Sequence, residues 1–251
     1  IGRTSLGFFD DETVGIFGIV LFSLFFLRSI EKEISLRANV LYAIAAGLSL
    51  GYLFTSWGAA RFPVGLTLLF VVVLLLLRRY SFRLLTSYGV TFGIALFIAI
   101  NVPKLGLSFL KEIDSIAVFG LFFLMCVMEI SRHIKSPTMK GILALGLVAL
   151  GVASFLALFW FVYIQSLPAK FMSVVNPFER LFYPVVSSVQ EHRPAAWGSI
   201  YYDLGIGILF IPVGFYFAAQ NPTNRNVYLI LFGLTSIYFA SAMVRLMLIL
   251  A

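Results

Sequence analysis

The chain has 251 residues, of which 61% are hydrophobic and 12% are charged, and its mean hydropathy is +1.02. Soluble domains carry about 25% charged residues, and a water-soluble fold of this size could not bury so much apolar surface. The composition therefore excludes a soluble fold and predicts a protein whose solvent is lipid. The net charge of +7 lies largely in short connectors between apolar runs, so it indicates membrane topology rather than nucleic-acid binding.

Eight apolar runs have about the length of a transmembrane helix, which needs roughly 20 residues. We therefore predict an all-α, polytopic membrane bundle of about eight transmembrane helices. The predicted spans are Thr13–Ile30, Ala38–Ser56, Pro63–Leu77, Leu84–Val102, Ser115–Ile130, Gly141–Ile164, Ile200–Ala219 and Val227–Ala251. The chain divides into an outer acidic loop at 1–12, spans over about 13–164, a long outer loop at 165–199 and two last spans over 200–251.

The distribution of Lys and Arg predicts which ends of the spans face the cytoplasm. Ten of the 18 basic residues lie in four short connectors, and short loops rich in Lys and Arg remain in the cytoplasm. These connectors are Arg28–Arg37, Arg78–Arg83, Arg132–Lys140 and Arg225. Both chain ends and the long loop are then predicted to face outward. Asp10–Glu12 and Glu191 would share this outer face, although most of the chain separates them.

Three consecutive acids, Asp10, Asp11 and Glu12, precede the first span. One acid can cap a helix and favour its positive end, which is the structural alternative. Three adjacent carboxylates repel one another, however, and capping requires only one of them. In an extended segment, alternate residues can direct carboxylate oxygens toward one hard cation such as Mg²⁺, Mn²⁺ or Ca²⁺. Arg3, seven residues upstream of Asp10, is either a solvated loop cation, a charge balancer for this cluster or a phosphate contact.

Two further residues are candidates for the same face. Glu191 lies in Ser188-Val189-Gln190-Glu191-His192 of the long loop, and its predicted face makes it a candidate ligand, whereas His192 is left out of the metal set. Arg245 stands in an apolar stretch, where a charge costs at least ~2.5 kcal/mol at mid-membrane. On a continuous helix Arg245 would lie roughly 9 Å below the outer boundary. It either snorkels to the surface or binds a buried anion such as a lipid-linked phosphate.

Several other polar or aromatic residues receive structural interpretations. Three tryptophans lie near predicted span ends, as in an aromatic belt: Trp57, Trp160 and Trp197. Glu129 is predicted to pair with Arg132 or Lys135 at the inner end of its span. Asp203 is interpreted as a cap of the seventh span.

These motifs together resemble the catalytic subunit of oligosaccharyltransferase, which N-glycosylates proteins. That family has an Arg seven residues before an acidic D-x-D or D-x-E motif, as Arg3 precedes Asp10–Glu12 here. It also has a T/S-I/V-x-E motif in a long fifth outer loop, which Ser188–Glu191 resembles. Met243–Leu248 is similar to the family's last transmembrane helix, and Thr55–Gly58 resembles its Trp-Gly turn. The resemblance runs along the whole chain in matching order.

The resemblance implies a GT-C-type glycosyltransferase membrane domain, here partial, and a role for each matching residue. Asp10, Glu12 and Glu191 would bind Mn²⁺ or Mg²⁺, and Glu191 would also contact the acceptor Asn amide. Arg3 would belong to the charged surroundings of the active site. Arg245 would contact the pyrophosphate of the donor. The implied reaction is transfer of an oligosaccharide from a polyprenyl pyrophosphate to the Asn of an N-x-S/T sequon.

Two elements of the family pattern are missing: a metal-binding Asp in the first outer loop and the sequon-reading W-W-D-Y-G motif. Since the chain also lacks an initiator Met, we expect a piece of a longer protein, inactive alone and with an incomplete metal site. The implied partners are a lipid-linked oligosaccharide, an acceptor polypeptide and membrane lipid, with no nucleic acid and with room for additional subunits. The Ser188–Trp197 form is compatible with an archaeal cell membrane and with the endoplasmic reticulum; we favour the archaeal cell membrane, with the site on the outer or luminal face.

Two alternatives remain open from the residues alone. One is another membrane glycosyltransferase with a polyprenyl donor, such as a protein mannosyltransferase. The other is a transporter or channel in which Arg245 and the acids line an ion path. A transporter would place ionisable groups near the bilayer midplane, whereas the candidate acids lie in predicted outer loops.

Overall fold

The computed structural model describes residues 11–136 and 194–250, together with residues 138–139, 141, 146 and 149 between them. Within these residues the chain is all-helical, as its composition predicts, and contains no strand. The helices are α1 Asp11–Ser29, α2 Leu36–Ser56, α3 Arg61–Leu76, α4 Phe82–Ile100, α5 Ile113–His133, α6 Trp197–Leu204, α7 Gly207–Gln220, α8 Asn224–Ala242 and α9 Met247–Leu250. Short 3-10 helices form at Gly58–Ala60, Gly106–Lys111 and Val244–Leu246.

Five of the described helical segments are long and apolar enough to cross a membrane, and a sixth is counted if the bent pair α6–α7 is one span. They are Glu12–Ser29, Leu36–Ser56, Gly58–Leu76, Phe82–Ile100 and Ile113–His133. Two predicted spans, Pro63–Leu77 and Ser115–Ile130, are shorter than a usual membrane helix. In the structure the corresponding helical segments are 19 and 21 residues long. Helix α3 can begin before Pro63 because Pro63 lies in its first turn, where the missing backbone N–H of proline costs no helical hydrogen bond. The protein is an integral membrane protein.

The last two predicted spans differ from the prediction. Ile200–Ala219 was expected to be one helix, but α6 and α7 meet there at 81°. Between them Gly205 has φ +54°, a left-handed conformation that ends α6 and that glycine adopts without strain. Val227–Ala251 is also interrupted, because Met243 is extended with φ −153° and ψ 127° after α8 ends.

The remaining predicted boundaries are described only in part. The sixth predicted span, Gly141–Ile164, lies largely outside the described residues, so a total of eight spans stays a prediction. The predicted loop 165–199 also lies mostly outside them, and its last three residues belong to α6 rather than to a loop.

As predicted, the basic connectors meet at one end of the bundle, named here the basic end and formed by residues 28–37, 77–83, 132–136 and 220–226. Glu31 pairs with Arg28 at 2.8 Å and with Arg225, the second residue of α8. Arg83 donates hydrogen bonds to the backbone carbonyls of Glu31, at 3.2 Å, and Ile34. These contacts join connectors that are far apart in the sequence.

Two more arginines complete the basic end. Arg79 donates to the backbone carbonyl of Pro222, between α7 and α8. Arg132 donates to the carbonyl of Tyr80 at 3.2 Å and lies over its ring at 4.4 Å from the centroid. Each of these two arginines therefore donates to a carbonyl group between two helices, where the carbonyl has no helical N–H partner.

The first, second and fourth helices form the tightest part of the bundle. At Gly47 of α2, an added Cβ would lie 2.8 Å from the Thr91 carbonyl oxygen and 2.9 Å from Ile94 Cβ, so glycine allows α2 to approach α4. Near the basic end, buried Asn39 donates to the Ser29 carbonyl and to Ser87 Oγ at 2.7 Å. This network connects α1, α2 and α4.

Helix α8 is held against α1 and α3 by aromatic side chains. Tyr228 is hydrogen-bonded to Ser23 of α1 at 2.8 Å and packs edge-on against Phe70 of α3 at 5.2 Å. Further along α8, Phe239 packs edge-on against Phe62, the second residue of α3, at 5.8 Å between centroids. These contacts place the last turns of α8 beside the first turn of α3, at the end of the bundle opposite the basic end.

Candidate functional site

The end opposite the basic end is named here the Glu12 end. It contains the start of α1, residues 57–61, residues 101–114, residues 194–200 and residues 241–247. The backbone N–H of Ala195 donates to the carbonyl of Ser241 at 3.1 Å, which ties the residues after the long loop to the end of α8. Glu12 and Ala195 thus share one end, as the topology predicts for the regions that carry the two acidic motifs.

The structure describes two of the five predicted site residues. Glu12 is described completely, and Arg245 is described in its backbone. Arg3, Asp10 and Glu191 lie outside the described residues. The predicted meeting of Asp10, Glu12 and Glu191 therefore stays a prediction. Among the residues that the structure describes, no three His, Cys, Asp or Glu side chains are grouped so that they could hold a metal ion.

Glu12 is fully buried, with 0% of its surface exposed. The first helix begins at Asp11, two residues earlier than predicted, so Glu12 lies in the first helical turn rather than in an extended segment. The positive end of a helix stabilises a carboxylate there, but a buried carboxylate also needs nearby positive charge or hydrogen-bond donors. An oxygen ligand of this kind suits a hard cation such as Mn²⁺ or Mg²⁺, so the described part of the donor set fits the predicted metal.

Trp57 lies next to the first turns of α1. Its side chain is 5% exposed and its ring packs against Gly15, one turn after Glu12. A methyl group at Gly15 would overlap the ring carbons of Trp57. Trp57 ends α2 in an extended conformation, with φ −142° and ψ 131°, and its N–H donates to Leu53 at 2.9 Å.

The interpretation of Trp57 as an aromatic-belt residue is therefore wrong. The indole fills the space that Gly15 leaves on α1 and does not face lipid, because it is buried. Trp197, by contrast, is 69% exposed, as expected for a belt residue. The Trp-Gly turn and Gly15, one of the two glycines of α1, were the available signals, but nothing in the sequence pairs them.

An ion-pair cluster at the Glu12 end was not predicted. Arg61, the first residue of α3, pairs with Glu112 and has its Nε 3.5 Å from Asp114 at the start of α5. The alternation of spans already places residues 57–61 and 101–114 on one face, so opposite charges in these two connectors were the signal. The cluster fixes the start of α3 relative to α5.

Two smaller predictions have opposite outcomes. Glu129 lies 3.8 Å from Arg132, which confirms the predicted pair at the inner end of α5. Asp203 does not cap the seventh span, because it is the last but one residue of α6 and precedes the bend at Gly205.

Arg245 lies in the 3-10 helix Val244–Leu246, just after the extended residue Met243. Its predicted depth of roughly 9 Å assumed a continuous helix. Because the helix is interrupted at Met243, this depth no longer follows from the sequence. Its neighbour Met247 is 7% exposed and packs with Ile200 of α6 and Ala240 of α8. The backbone at Arg245 is thus held beside the residues that follow the long loop.

Comparison with known proteins agrees with this arrangement. The dolichyl-diphosphooligosaccharide–protein glycosyltransferase subunit STT3 of Dictyostelium discoideum is 31% identical over 261 residues, covering 100% of this chain and 36% of that protein. The STT3B subunit of the same enzyme from Oryza sativa subsp. japonica is 28% identical over 265 residues, covering 100% of this chain and 35% of that protein. The chain thus spans about a third of the length of these relatives.

The fold is also similar to a solved structure. The archaeal oligosaccharyltransferase AglB from Archaeoglobus fulgidus, in complex with an inhibitory peptide and a dolichol-phosphate, superposes with a TM-score of 0.70 at 16% identity, covering 98% of this chain and 32% of that one. The family model described as "Oligosaccharyl transferase STT3, N-terminal" matches residues 1–251. Because that match covers the whole sequence, the chain belongs to the oligosaccharyl transferase STT3 family.

Proposed function

We propose that this protein acts in N-linked glycosylation as the catalytic subunit of an oligosaccharyltransferase. It transfers an oligosaccharide from a polyprenyl pyrophosphate donor to the Asn side chain of an N-x-S/T sequon. The observation that carries this proposal is the match of the family model along residues 1–251. The relatives' names specify a dolichyl-diphosphate donor and a protein acceptor, and AglB was solved with a peptide and a dolichol-phosphate.

A divalent cation, Mn²⁺ or Mg²⁺, would be held by Asp10, Glu12 and Glu191, and when bound it would supply charge that orients the acceptor and stabilises developing negative charge. Glu12 would contribute a ligand of fixed position, because it is buried in the first turn of a helix packed against Trp57. Arg3 would balance the charge of these carboxylates.

The acceptor amide nitrogen would attack the anomeric carbon of the first sugar and lose a proton to a carboxylate of the site. The bond from that carbon to the pyrophosphate oxygen would break, and polyprenyl pyrophosphate would leave. Glu191 would contact the amide and orient it, since an amide nitrogen is a weak nucleophile. The guanidinium of Arg245 would pair with the departing pyrophosphate, which carries the developing negative charge. The long loop that carries Glu191 would close over the peptide and exclude water.

The membrane orientation follows from the basic end. Its density of Lys and Arg predicts a cytoplasmic location, which places the Glu12 end on the outer or luminal face. We favour an archaeal cell membrane, where the lipid-linked donor and the acceptor protein would meet on the outer face.

No observation favours a transporter. In the described helices, every Asp, Glu, Lys and Arg lies within five residues of a helix end, and a transporter would be expected to place such groups near the midplane. A protein mannosyltransferase would also use a polyprenyl donor, but it would not be expected to have the Ser188–Glu191 motif or the surroundings of Arg245. Its acceptor also differs, so the acceptor must be part of the test.

The decisive experiment uses the full-length protein in detergent with a labelled lipid pyrophosphate-linked glycan and an Asn-x-Thr peptide. Transfer to Asn should require Mn²⁺ or Mg²⁺ and should be lost in Asp10→Ala and in Glu191→Ala. Glu33→Ala at the basic end is the control. Undiminished transfer in either site variant would refute the metal site, and transfer of a single sugar to Ser or Thr would favour the mannosyltransferase.

Arg245→Ala separates donor binding from acceptor binding. The donor concentration at half-maximal rate should rise, because a phosphate contact is removed, while that of the peptide should change little. The reverse pattern would refute the role proposed for Arg245.

A further inference from the structure

Helix α6 lies almost perpendicular to α7, with 81° between them. Helix α7 has 14 residues and is about 21 Å long, and it ends beside Pro222, which Arg79 binds at the basic end. The hydrocarbon core of a bilayer is about 30 Å thick. Ile200 of α6 packs with Ala240, two residues before the end of the 19-residue α8, so α6 lies across the bundle at the Glu12 end, near the opposite boundary of that core.

One side of α6 faces the protein. Ile200 is 7% exposed and contacts Ala240 of α8 and Met247 of α9, and Leu204, one turn later, packs against the same cluster. This side fixes how α6 is rotated about its own axis. The other sides carry exposed side chains.

The two flanks of α6 differ in chemistry. Trp197 and Tyr201 are 69% and 55% exposed and lie one helical turn apart on one flank. Ser199 and Asp203, also exposed and one turn apart, lie about 200° around the helix from them. The helix therefore presents an aromatic flank and a polar flank on opposite sides, with the protein-facing side between them on one side and Tyr202, which is 89% exposed, between them on the other.

We propose that α6 is an interfacial membrane helix whose aromatic flank, formed by Trp197 and Tyr201, binds lipid at the boundary between headgroups and acyl chains at the Glu12 end. Trp and Tyr prefer this boundary, because their rings are apolar and their N–H and O–H groups are polar. The polar flank, Ser199 and Asp203, faces water.

The occupant of the aromatic flank is lipid, because the segment that follows α6 exposes an apolar surface that begins with Ile206, which is 69% exposed. The adjoining helix α7 has no charged residue and exposes large apolar and aromatic side chains: Leu209, Phe210, Val213, Tyr216 and Phe217. In an integral membrane protein this surface contacts acyl chains. The anchor would also hold the end of the long loop at membrane height, since Glu191 precedes Trp197 by six residues.

Depth-dependent quenching of Trp197 tests the proposal. The full-length protein and its Trp197→Phe variant are reconstituted in vesicles containing phosphatidylcholine brominated either near the carbonyl end or near the methyl end of the acyl chain. The difference between the two fluorescence signals reports Trp197 alone. We expect stronger quenching by bromine near the carbonyl end. Absence of lipid quenching, or stronger quenching near the methyl end, would overturn the proposal.

A matched pair of charges tests which flank faces lipid. Tyr201→Glu places a carboxylate on the aromatic flank, and Ser199→Glu places the same group on the polar flank of the same helix. We expect Tyr201→Glu to remove most of the lipid quenching of Trp197 and to increase its quenching by acrylamide, whereas Ser199→Glu leaves both unchanged. Equal effects of the two variants would show that the flanks do not differ and would refute the assignment.

Discussion

The two ends of the bundle are built differently. At the basic end, α2, α4 and α8 each begin with a side-chain cap, in which Ser35, Ser81 and Thr223 accept hydrogen bonds from Ala38, Leu84 and Asn226. At the Glu12 end, none of the described starts of α3, α5, α6 and α7 has a side-chain cap. The Glu12 end also contains the 81° bend and the interruption at Met243.

This difference indicates that the basic end contributes mainly to stability and the Glu12 end mainly to activity. Caps, arginine–carbonyl contacts and the Asn39 network satisfy the polar groups of the basic end within the protein, which favours one rigid arrangement. The Glu12 end has interrupted helices and a buried carboxylate, and buried ionisable groups tend to occur where ligands bind. Substitutions at the basic end should therefore alter the free energy of unfolding, and substitutions at the Glu12 end should alter activity.

The largest expected effect is that of Glu12→Gln on glycan transfer. Removal of the ligand charge should lower the transfer rate by about two orders of magnitude, as loss of one preorganised electrostatic group does. The melting temperature should change little, because Gln has nearly the same shape as Glu in this buried position. Glu33→Gln, an exposed acid at the basic end, is the control. An equal loss of rate in both variants would contradict the functional difference between the two ends.

Asn39→Leu should produce the largest stability effect at the basic end. It removes the amide that joins the Ser29 carbonyl and Ser87 in a buried site, which should lower the free energy of unfolding by about 2 kcal/mol. Thermal unfolding in detergent measures the change. Asn101→Leu is the control, since Asn101 is exposed and bonds only locally to Phe97 among the described contacts. Loss of activity without loss of stability would contradict the structural role.

Gly15→Ala tests whether Trp57 positions Glu12. The added methyl group overlaps the buried ring, so the first turns of α1 must shift, and we expect the rate to fall about tenfold, or about 1.4 kcal/mol in the barrier. The Mn²⁺ concentration for half-maximal rate should rise. Gly65→Ala is the matched control, because it gains the same helix propensity on α3 with no atom within 4 Å of the new Cβ. Equal rates in the two variants would exclude a positioning role for this contact.

The smallest effect is expected for Glu31→Gln. Its partners Arg28 and Arg225 are 48% and 58% exposed, so solvent screens both ion pairs, and their loss should cost about 0.5 kcal/mol. The change in melting temperature should shrink further at high salt. Glu33→Gln at the same end should cause no change. A large, salt-independent loss would mean that Glu31 has a role beyond these pairs.

The sequence predicted the first five spans and the common end of the basic connectors because both depend on local properties. A run of about 20 apolar residues is sufficient to identify a span in lipid, and Lys and Arg in short loops indicate one side. The contacts of Arg225 and Arg28 with Glu31 confirm that the basic connectors share one end. The acidic motif of Asp10–Glu12 and the Ser188–Glu191 motif were enough to identify the family that the comparison then showed.

Which side of a helix is buried was not predictable from the sequence. In a membrane the lipid-facing and protein-facing sides are both apolar, so hydrophobic periodicity does not distinguish them. On α1, Phe22 is fully buried and Phe17 is 61% exposed, although both are phenylalanines of one helix. The burial of Trp57 against Gly15 escaped prediction for the same reason.

The helix interruptions were also decided by the tertiary structure. Gly205 and Met243 lie in apolar runs that hydropathy joins into single spans, but the backbone turns at both positions. Each turn is fixed by packing between distant segments, as when Ile200 and Met247 meet Ala240. The sequence alone therefore determined a membrane protein of this family and predicted a common face for its acidic motifs. Only the tertiary structure placed Glu12 in a buried helical turn and laid α6 across the bundle, because both depend on contacts between residues far apart in the chain.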